Sequence, residues 1–369
     1  MALTLHGTVA DNTAVLDRRS AKPIIINGDM QVAQRGTSVT GVTTTGYKTV
    51  DRFNLNIDTM GTWTVTQADD APTGSGFQHS LKLDCTTADA SPGASDNLTI
   101  NTKLEGQDVQ MFKKGTSSAE KFTVSFWVKA TKTGTHILEL DDHDNGRNIN
   151  QAYTINSSDT WEKKVLTFAA DTTGAFGNDN GSSLRLFWWV GAGSNYTSGT
   201  LETSWASTTN ANRAVGQVNN ADSTSNNWYI TGVQLEVGEF DANSIPPFQH
   251  ESFGDSLRRC QRYLWQQKND TGSTVCVTIG LAQGTGRGYG AWQFSEMRAA
   301  PTVSVSDVGE FLPLDGAGGP EPDFTTVTNS TSTKTGLFLD LSGSSGLTSG
   351  HACTICINDG HYVRGDAEL

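Results

Sequence analysis

Asn227–Leu264, NWYITGVQLEVGEFDANSIPPFQHESFGDSLRRCQRYL, joins a strand, a double-proline stop and a helix start within 38 residues. Trp228 to Val237 reads as a strand, rich in aromatic and β-branched residues. Pro246-Pro247 cannot continue a ladder or a helix. Ser252-Phe-Gly-Asp255 then has the spacing of a capping box, a side-chain oxygen at the cap and a carboxylate three residues on. Phe253, Leu257, Cys260 and Leu264 recur at intervals of 4, 3 and 4 and share one helical face, while Arg258, Arg259 and Arg262 take the others. Asp255 can pair with Arg259 one turn later. The apolar stripe either packs on its own sandwich or meets its copies near a threefold axis, which makes these four residues a candidate oligomer interface.

Upstream, from residue 46 to 248, strand candidates alternate with turns at the intervals of a β-sandwich. Lys121 to Lys129 is the clearest: Phe122, Val124, Phe126 and Val128 share a core face, while Thr123, Ser125, Trp127 and Lys129 share the other. Similar strands are expected at Thr62 to Gln67, His79 to Asp84, His136 to Leu140, Trp161 to Phe168 and Leu184 to Val190. Downstream of a linking helix over 249–269, residues 270–369 return to strands and form a smaller β domain. Residues 1–45 are too short and too broken to bury a core alone. They read either as an arm docking on a larger particle or on sister subunits, or as an edge strand of the next domain. The chain is therefore mainly β, with two packed antiparallel sheets, a linking α-helix and a second, smaller β-sandwich.

Composition agrees. Charged residues are 18% of the 369, and 39 glycines with many Thr, Ser and Asn supply turns. A formal charge of -13 opposes nucleic-acid binding, whose affinity comes largely from Lys and Arg displacing counterions. The N-terminus lacks a cationic signal region, and the longest aromatic-apolar run, Leu186 to Val190, falls far short of the roughly 18 residues that cross a bilayer. No membrane insertion or Sec export is expected.

Candidate chemistry is sparse. Sugar recognition needs aromatic platforms and planar amides or carboxylates. Trp188, Trp189, Tyr196 and Trp205, near Asn178, Asp179 and Asn195, form the densest such group, with Trp63 as another candidate ligand-binding residue. Adjacent strand residues face opposite ways, so Trp188 and Trp189 cannot both be platforms. Leu140–Gly146, LDDHDNG, resembles half of a calcium loop, with Asp142 and Asp144 as candidate ligands, but the downstream Glu is missing; the alternative is a solvated hairpin tip. No cofactor is expected. Five cysteines, at 85, 260, 276, 353 and 356, argue against a disulfide framework, and the Cys353–Cys356 pair reads as buried, unlinked thiols. The glycines from 284 to 290 read as a turn, since no helix N-terminus follows to hold phosphate. The histidines show no ligand spacing, and no hydrolase motif or nominated carboxylate pair marks an enzyme.

Thr231, Gly232, Gln234, Leu235 and Glu236, then Pro247-Phe248, then Cys260-Gln-Arg-Tyr263 resemble a junction of tail and fibre proteins of tailed bacteriophages. The likeness extends to Ile26–Met30 with Gln34–Thr37 and Val50–Phe53. It also covers Phe126–Lys129, Trp161–Lys164 and Leu184–Leu186, and at the end Met297–Val303 and Asp366–Leu369, so it runs from about residue 24 to 369. The resemblance implies a jelly roll of carbohydrate-binding-module type and a C-terminal module. It also implies a homotrimeric virion structural protein, assembled in the host cytoplasm, with other virion proteins and host cell-surface polysaccharide as partners. It carries no shared catalytic set. A tail fibre is the first expectation; a capsid decoration or head-fibre protein and a polysaccharide-degrading virion enzyme are the alternatives.

Overall fold

The computed structural model describes residues 22–315, 319–320 and 322–369. The chain divides into two compact units, residues 1–256 and 257–369. In the first, one sheet runs in hydrogen-bonded order β1 (Ser38–Val42), β4 (Thr62–Ala68), β5 (Ser80–Thr87), β13 (Asn227–Val237), β7 (Phe122–Ala130) and β10 (Glu162–Phe168). We call it sheet A. Sheet B runs β12 (Ala206–Ser207), β9 (Arg147–Ile155), β8 (Gly134–Asp142), β11 (Ser182–Ala192), β6 (Asn97–Glu105), β3 (Asn54–Asp58) and β2 (Gly46–Tyr47). Every pairing is antiparallel, and the chain repeatedly passes from one sheet to the other. That is a jelly-roll sandwich.

Strand periodicity builds its core. Phe122, Val124, Phe126 and Val128 point inward from sheet A as expected, meeting Leu184, Leu186, Trp188 and Val190 from sheet B. The register of β13 shifts between Thr231 and Gln234, and Gly232 sits in this bulge at φ +61. A Cβ there would lie 2.7 Å from the Phe77 ring, so glycine is required on two counts.

Several expectations need correction. Of the segment 1–45, residues 1–21 lie outside the described residues. The remainder is no separate arm: β1 pairs with β4, and Ile25, Met30 and Val32 are buried. The edge-strand alternative describes residues 22–45. The capping box forms as expected, with the Asp255 N–H donating to Ser252 Oγ at 3.2 Å and helix Phe253–Gln261 following. The four-residue stripe does not survive. Leu264 opens strand β14 rather than extending the helix, Cys260 and Leu264 are fully buried in the single chain, Leu257 is half-buried, and only Phe253 is exposed. A strand reverses direction every residue, so helical spacing stops mattering at the helix end.

The second unit carries a three-stranded sheet, β14 (Leu264–Lys268), β23 (Tyr362–Asp366) and β17 (Thr302–Val305), and a seven-stranded sheet. Trp292, Phe311, Phe324, Leu339 and Ile355 form its core. In the seven-stranded sheet β15 (Val275–Ala282) places Cys276 directly opposite Cys356 of β22 (Ala352–Ile357), and the two form a disulfide across 80 residues of sequence. This corrects the expectation of unlinked thiols. Reading the C-x-x-C pair along one strand correctly separates Cys353 from Cys356, but the partner comes from the neighbouring strand. Cys85 and Cys353 are free and buried, and Cys260 is buried.

His136 lies fully buried in the first unit, stacked on Tyr153 at 5.6 Å, and its Nε2 has no partner among the described residues. Burial lowers its pKa from 6.5 to about 4. The folded chain therefore binds fewer protons than the unfolded chain between those values, so this contribution is intact above pH 6.5 and is lost as pH falls toward 4, by about 3 kcal/mol. Urea unfolding at pH 7, 6, 5 and 4 should show that loss in the wild type and a shallower one in His136→Phe. Equal slopes would remove His136 as the cause.

Candidate functional site

The outward face of sheet B is built from an alternation of amides and aliphatics: Asn54-Leu-Asn56, Asn97-Leu-Thr-Ile-Asn101 and Asn148-Ile-Asn150. In each, the aliphatic residue enters the core and the polar residue turns outward. Register aligns these into rows across the sheet. One row reads Asn148, Asp141, Arg185, Lys103; the next reads Asn150, Glu139, Phe187, Asn101, Asn54. Arg185 Nε donates to Asp141 Oδ2 at 2.7 Å. Phe187 lies beneath two guanidiniums, with Arg185 at 5.5 Å and Arg213 at 5.7 Å from its ring centre. Asn56 Nδ2 donates to Asn97 Oδ1 at 2.9 Å.

Polar atoms on this face are left over. Thr99 Oγ1, Asn101 Oδ1, both amide atoms of Asn148 and Asn150 Oδ1 are buried without a hydrogen-bond partner among the described residues. An unpaired buried polar atom costs roughly 1–3 kcal/mol, which makes a cluster of them an unusual feature of a sheet face. Arg185 and Lys103, opposite each other, and Asn56, opposite Thr99, are half-buried and more open. Planar amides, a carboxylate and a guanidinium in rows are donors and acceptors of the kind that bind sugar hydroxyls.

Over the β8–β9–β11 half of this face lies the segment from Gly193 to Ala221. It contains a short helix, Ser194–Thr197, and the edge strand β12. Its Ala214, Tyr196 and Leu201 pack on Ile137 and Trp189. Glu139 is fully buried beneath it, accepting from Arg213 Nε at 2.9 Å and Trp189 Nε1 at 2.9 Å. Burial raises the Glu139 carboxyl above its ordinary range, against the pull of Arg213. Glu139 and Asp141 are thus both committed to guanidiniums.

The expected aromatic platform is not there. Trp63 is fully buried, its Nε1 donating to Met60 O, and Trp188 is core, packed on Phe53 and Phe126. Trp189 faces outward as alternation requires, yet Tyr196 at 5.2 Å and Arg213 cover it. Trp205 is half-buried at the sandwich end, its Nε1 donating to Ala169 O. Large aromatic rings were recruited for burial because they contribute most to a core. On the outer side of sheet A, Lys129 Nζ lies 4.3 Å from the Tyr229 ring and 5.4 Å from Trp161, so those ring faces are occupied as well. The structure therefore brings together Trp189 and Tyr196 alone of the expected group. The asparagine rows, overlooked in favour of tryptophan, were visible as the N-x-N alternation.

Asp142 and Asp144, the candidate calcium ligands, are engaged within the chain. Asp142 is fully buried and holds Lys114 Nζ at 2.5 Å; Asp144 accepts from the Gly177 N–H. Lys114 Nζ also meets Asp171 Oδ2 at 2.9 Å, Thr173 O at 2.9 Å and Gly174 O at 2.8 Å. Although burial works against its charge, Arg147 and Lys114 hold Asp171 below the usual carboxylate range. A buried ammonium thus occupies an oxygen cage of the type a hard cation would take. Among the described residues no group of three His, Cys, Asp or Glu is arranged to hold a metal ion.

No family model and no curated protein matches the chain. Solved structures similar to it include the enzymatically active domain of tailspike protein 4 of bacteriophage CBA120, at 14% identity and TM-score 0.31, covering 58% of this chain and 21% of that one. Another is the carbohydrate-binding module TmCBM61 in complex with β-1,4-galactotriose, at 8% identity and TM-score 0.30, covering 59% and 99%. A third is the CBM22-1–CBM22-2 tandem domain of Paenibacillus barcinonensis Xyn10C, at 11% identity and TM-score 0.27, covering 94% and 97%. These overlaps are too loose to transfer a ligand or a residue role.

Lys114→Met should leave Asp142 and Asp171 facing each other without their shared ammonium, destabilising the first unit by about 3–5 kcal/mol. The midpoint of urea unfolding followed by tryptophan fluorescence checks this; an unchanged midpoint would mean the cage contributes nothing.

Proposed function

We propose that this chain is a glycan-binding structural protein of a tailed-bacteriophage particle, a tail fibre or related appendage, in which the jelly roll contacts host-surface polysaccharide without cleaving it. The observation that carries the binding reading is the outward face of sheet B: asparagine rows beside Arg185 and Lys103, with buried amide atoms that have no partner among the described residues. Sugar hydroxyls can donate to and accept from such groups, and each pairing recovers part of the cost of leaving them unmade. Recognition here is by hydrogen bonds rather than ring stacking, since Phe187 is already covered by guanidiniums. Non-catalytic binding fits the carboxylates, because neither Glu139 nor Asp141 is free to deliver or take a proton across a glycosidic bond. The particle assignment is supported by the resemblance of the 26–53 and 231–263 segments to phage tail proteins. Copies side by side, as trimers, would add weak contacts through effective concentration.

Affinity electrophoresis of the full chain through gels containing host capsule or lipopolysaccharide glycan should show retardation, reduced about tenfold in apparent affinity by Arg185→Ala, corresponding to the loss of one or two hydrogen bonds. Absence of retardation by every host glycan would sink the binding reading, and release of reducing ends would replace it with the enzyme. Immunogold against residues 270–369 on purified particles should label tails; label spread over heads would make the chain a decoration protein.

A further inference from the structure

The segment 193–221 is tied to the first unit at both ends and at points between. Gly193 N–H donates to Asp96 O at 2.8 Å, and Val218 N–H donates to Thr135 O at 3.0 Å. Between these anchors Asn195 N–H donates to Ala94 O and Thr208 N–H to Gly146 O, each at 2.9 Å, Arg147 Nη2 donates to Trp205 O at 3.0 Å, and Trp205 Nε1 donates to Ala169 O at 2.7 Å. Asn150 gives its backbone N–H to Glu202 O at 2.7 Å and its side-chain amide to the same oxygen at 3.1 Å. Two residues of β12 pair with β9, and the small apolar group around Ala214 packs on Ile137 and Trp189. Among the described residues the one ion pair between the segment and the sheet is Arg213 on Glu139.

The underside of this cover is poorly matched to what it covers. Asn148, paired with Ala206 in β12, has neither amide atom satisfied; Asn150 Oδ1 and Thr99 Oγ1, the latter beside Trp189, are likewise unmatched. A permanent roof over a sheet is normally apolar or fully hydrogen-bonded, because each unmatched polar atom costs free energy only while the roof is shut. That penalty is relieved when the segment lifts and water or a ligand reaches the amides.

We propose that residues 193–214 are a lid over the amide-lined face, latched shut by the Arg213–Glu139 pair, and that glycan binding selects the open state. The inference rests on the reading of that face as the glycan site and adds its regulation. Opening extends the half-buried pair Lys103 and Arg185 across the sheet to Asn148 in the same row and Asn150 in the next, giving a binding surface several strands wide. A lid of this kind lowers apparent affinity by the fraction of time it is open, so weakening the latch strengthens binding.

Hydrogen exchange of the full chain, read by mass spectrometry without any glycan, tests the lid directly. Backbone amides of 193–214 should exchange at least tenfold faster in Arg213→Ala than in the wild type, with β7 and β13 of sheet A unchanged, and Arg213→Lys should restore part of the protection. The same Arg213→Ala protein should be retarded more strongly than the wild type in gels containing the polysaccharide that retards the wild type. Unchanged exchange of the segment in Arg213→Ala would overturn the lid, as would an equal rise across the whole first unit, which would make Arg213 a general stabiliser. No retardation of either protein by any glycan, with the segment exchanging faster in Arg213→Ala as expected, would remove the glycan reading and leave the lid standing.

Discussion

The amide of Val233 donates to the carbonyl of Gly28 at 2.8 Å, and most of the first unit is arranged around this contact. A Cβ on Gly28 would lie 2.1 Å from Val233 O, so the approach is open to glycine alone. Asn27 beside it closes a knot: its Nδ2 donates to Val32 O and Asp51 O, and its Oδ1 accepts from the Val32 N–H, all at 2.9 Å. Asp51 in turn accepts from the Gln34 N–H, and Arg52 Nη2 reaches Lys103 O at 2.7 Å. Buried polar groups are tolerable here because nearly each one is paired. The result fixes the entry segment on β13, the strand of sheet A between β5 and β7, and ties it to β6 of sheet B.

With both sheets held, their outward faces follow from strand alternation but differ in character. On sheet A the charged groups are satisfied locally: Lys129 sits over Tyr229 and Trp161 and pairs with Asp70. On sheet B the ion pairs are satisfied while several amides are not. A surface whose charges are neutralised in place but whose amides are unmatched is suited to a neutral, hydroxyl-bearing partner more than to a charged one, since no unpaired guanidinium is offered by Arg185 or Arg213. The acidic balance of the whole chain works in the same direction, by disfavouring indiscriminate adhesion to anionic polymers.

Two buried ion groups of the first unit solve one problem in two ways. Lys114 brings an internal ammonium to two carboxylates and two carbonyls, so that sandwich end needs no outside cation to balance Asp142 and Asp171. Arg213 brings its charge to Glu139 from the covering segment, as its one ion pair with the sheet among the described residues. The first arrangement links parts of the sandwich end and favours rigidity; the second links a strand to a strap and favours a choice between shut and open.

How much of this was legible depended on the range of the interaction involved. Local pattern determined the strands, the core face of Phe122 to Val128, the capping box at Ser252 and the mainly β class, because side-chain period and cap chemistry act over a few residues. Pattern could also have shown the asparagine rows, since amide and aliphatic alternate in three separate strands. Only the tertiary structure decided that Trp63 and Trp188 are core and Trp189 is roofed, that Cys276 meets Cys356, that Lys114 fills the place considered for calcium, and that Leu264 leaves the helix to begin a strand. Each of those outcomes turns on which strand or loop becomes a neighbour in space, or on where an element stops, and the residue types alone do not carry that information.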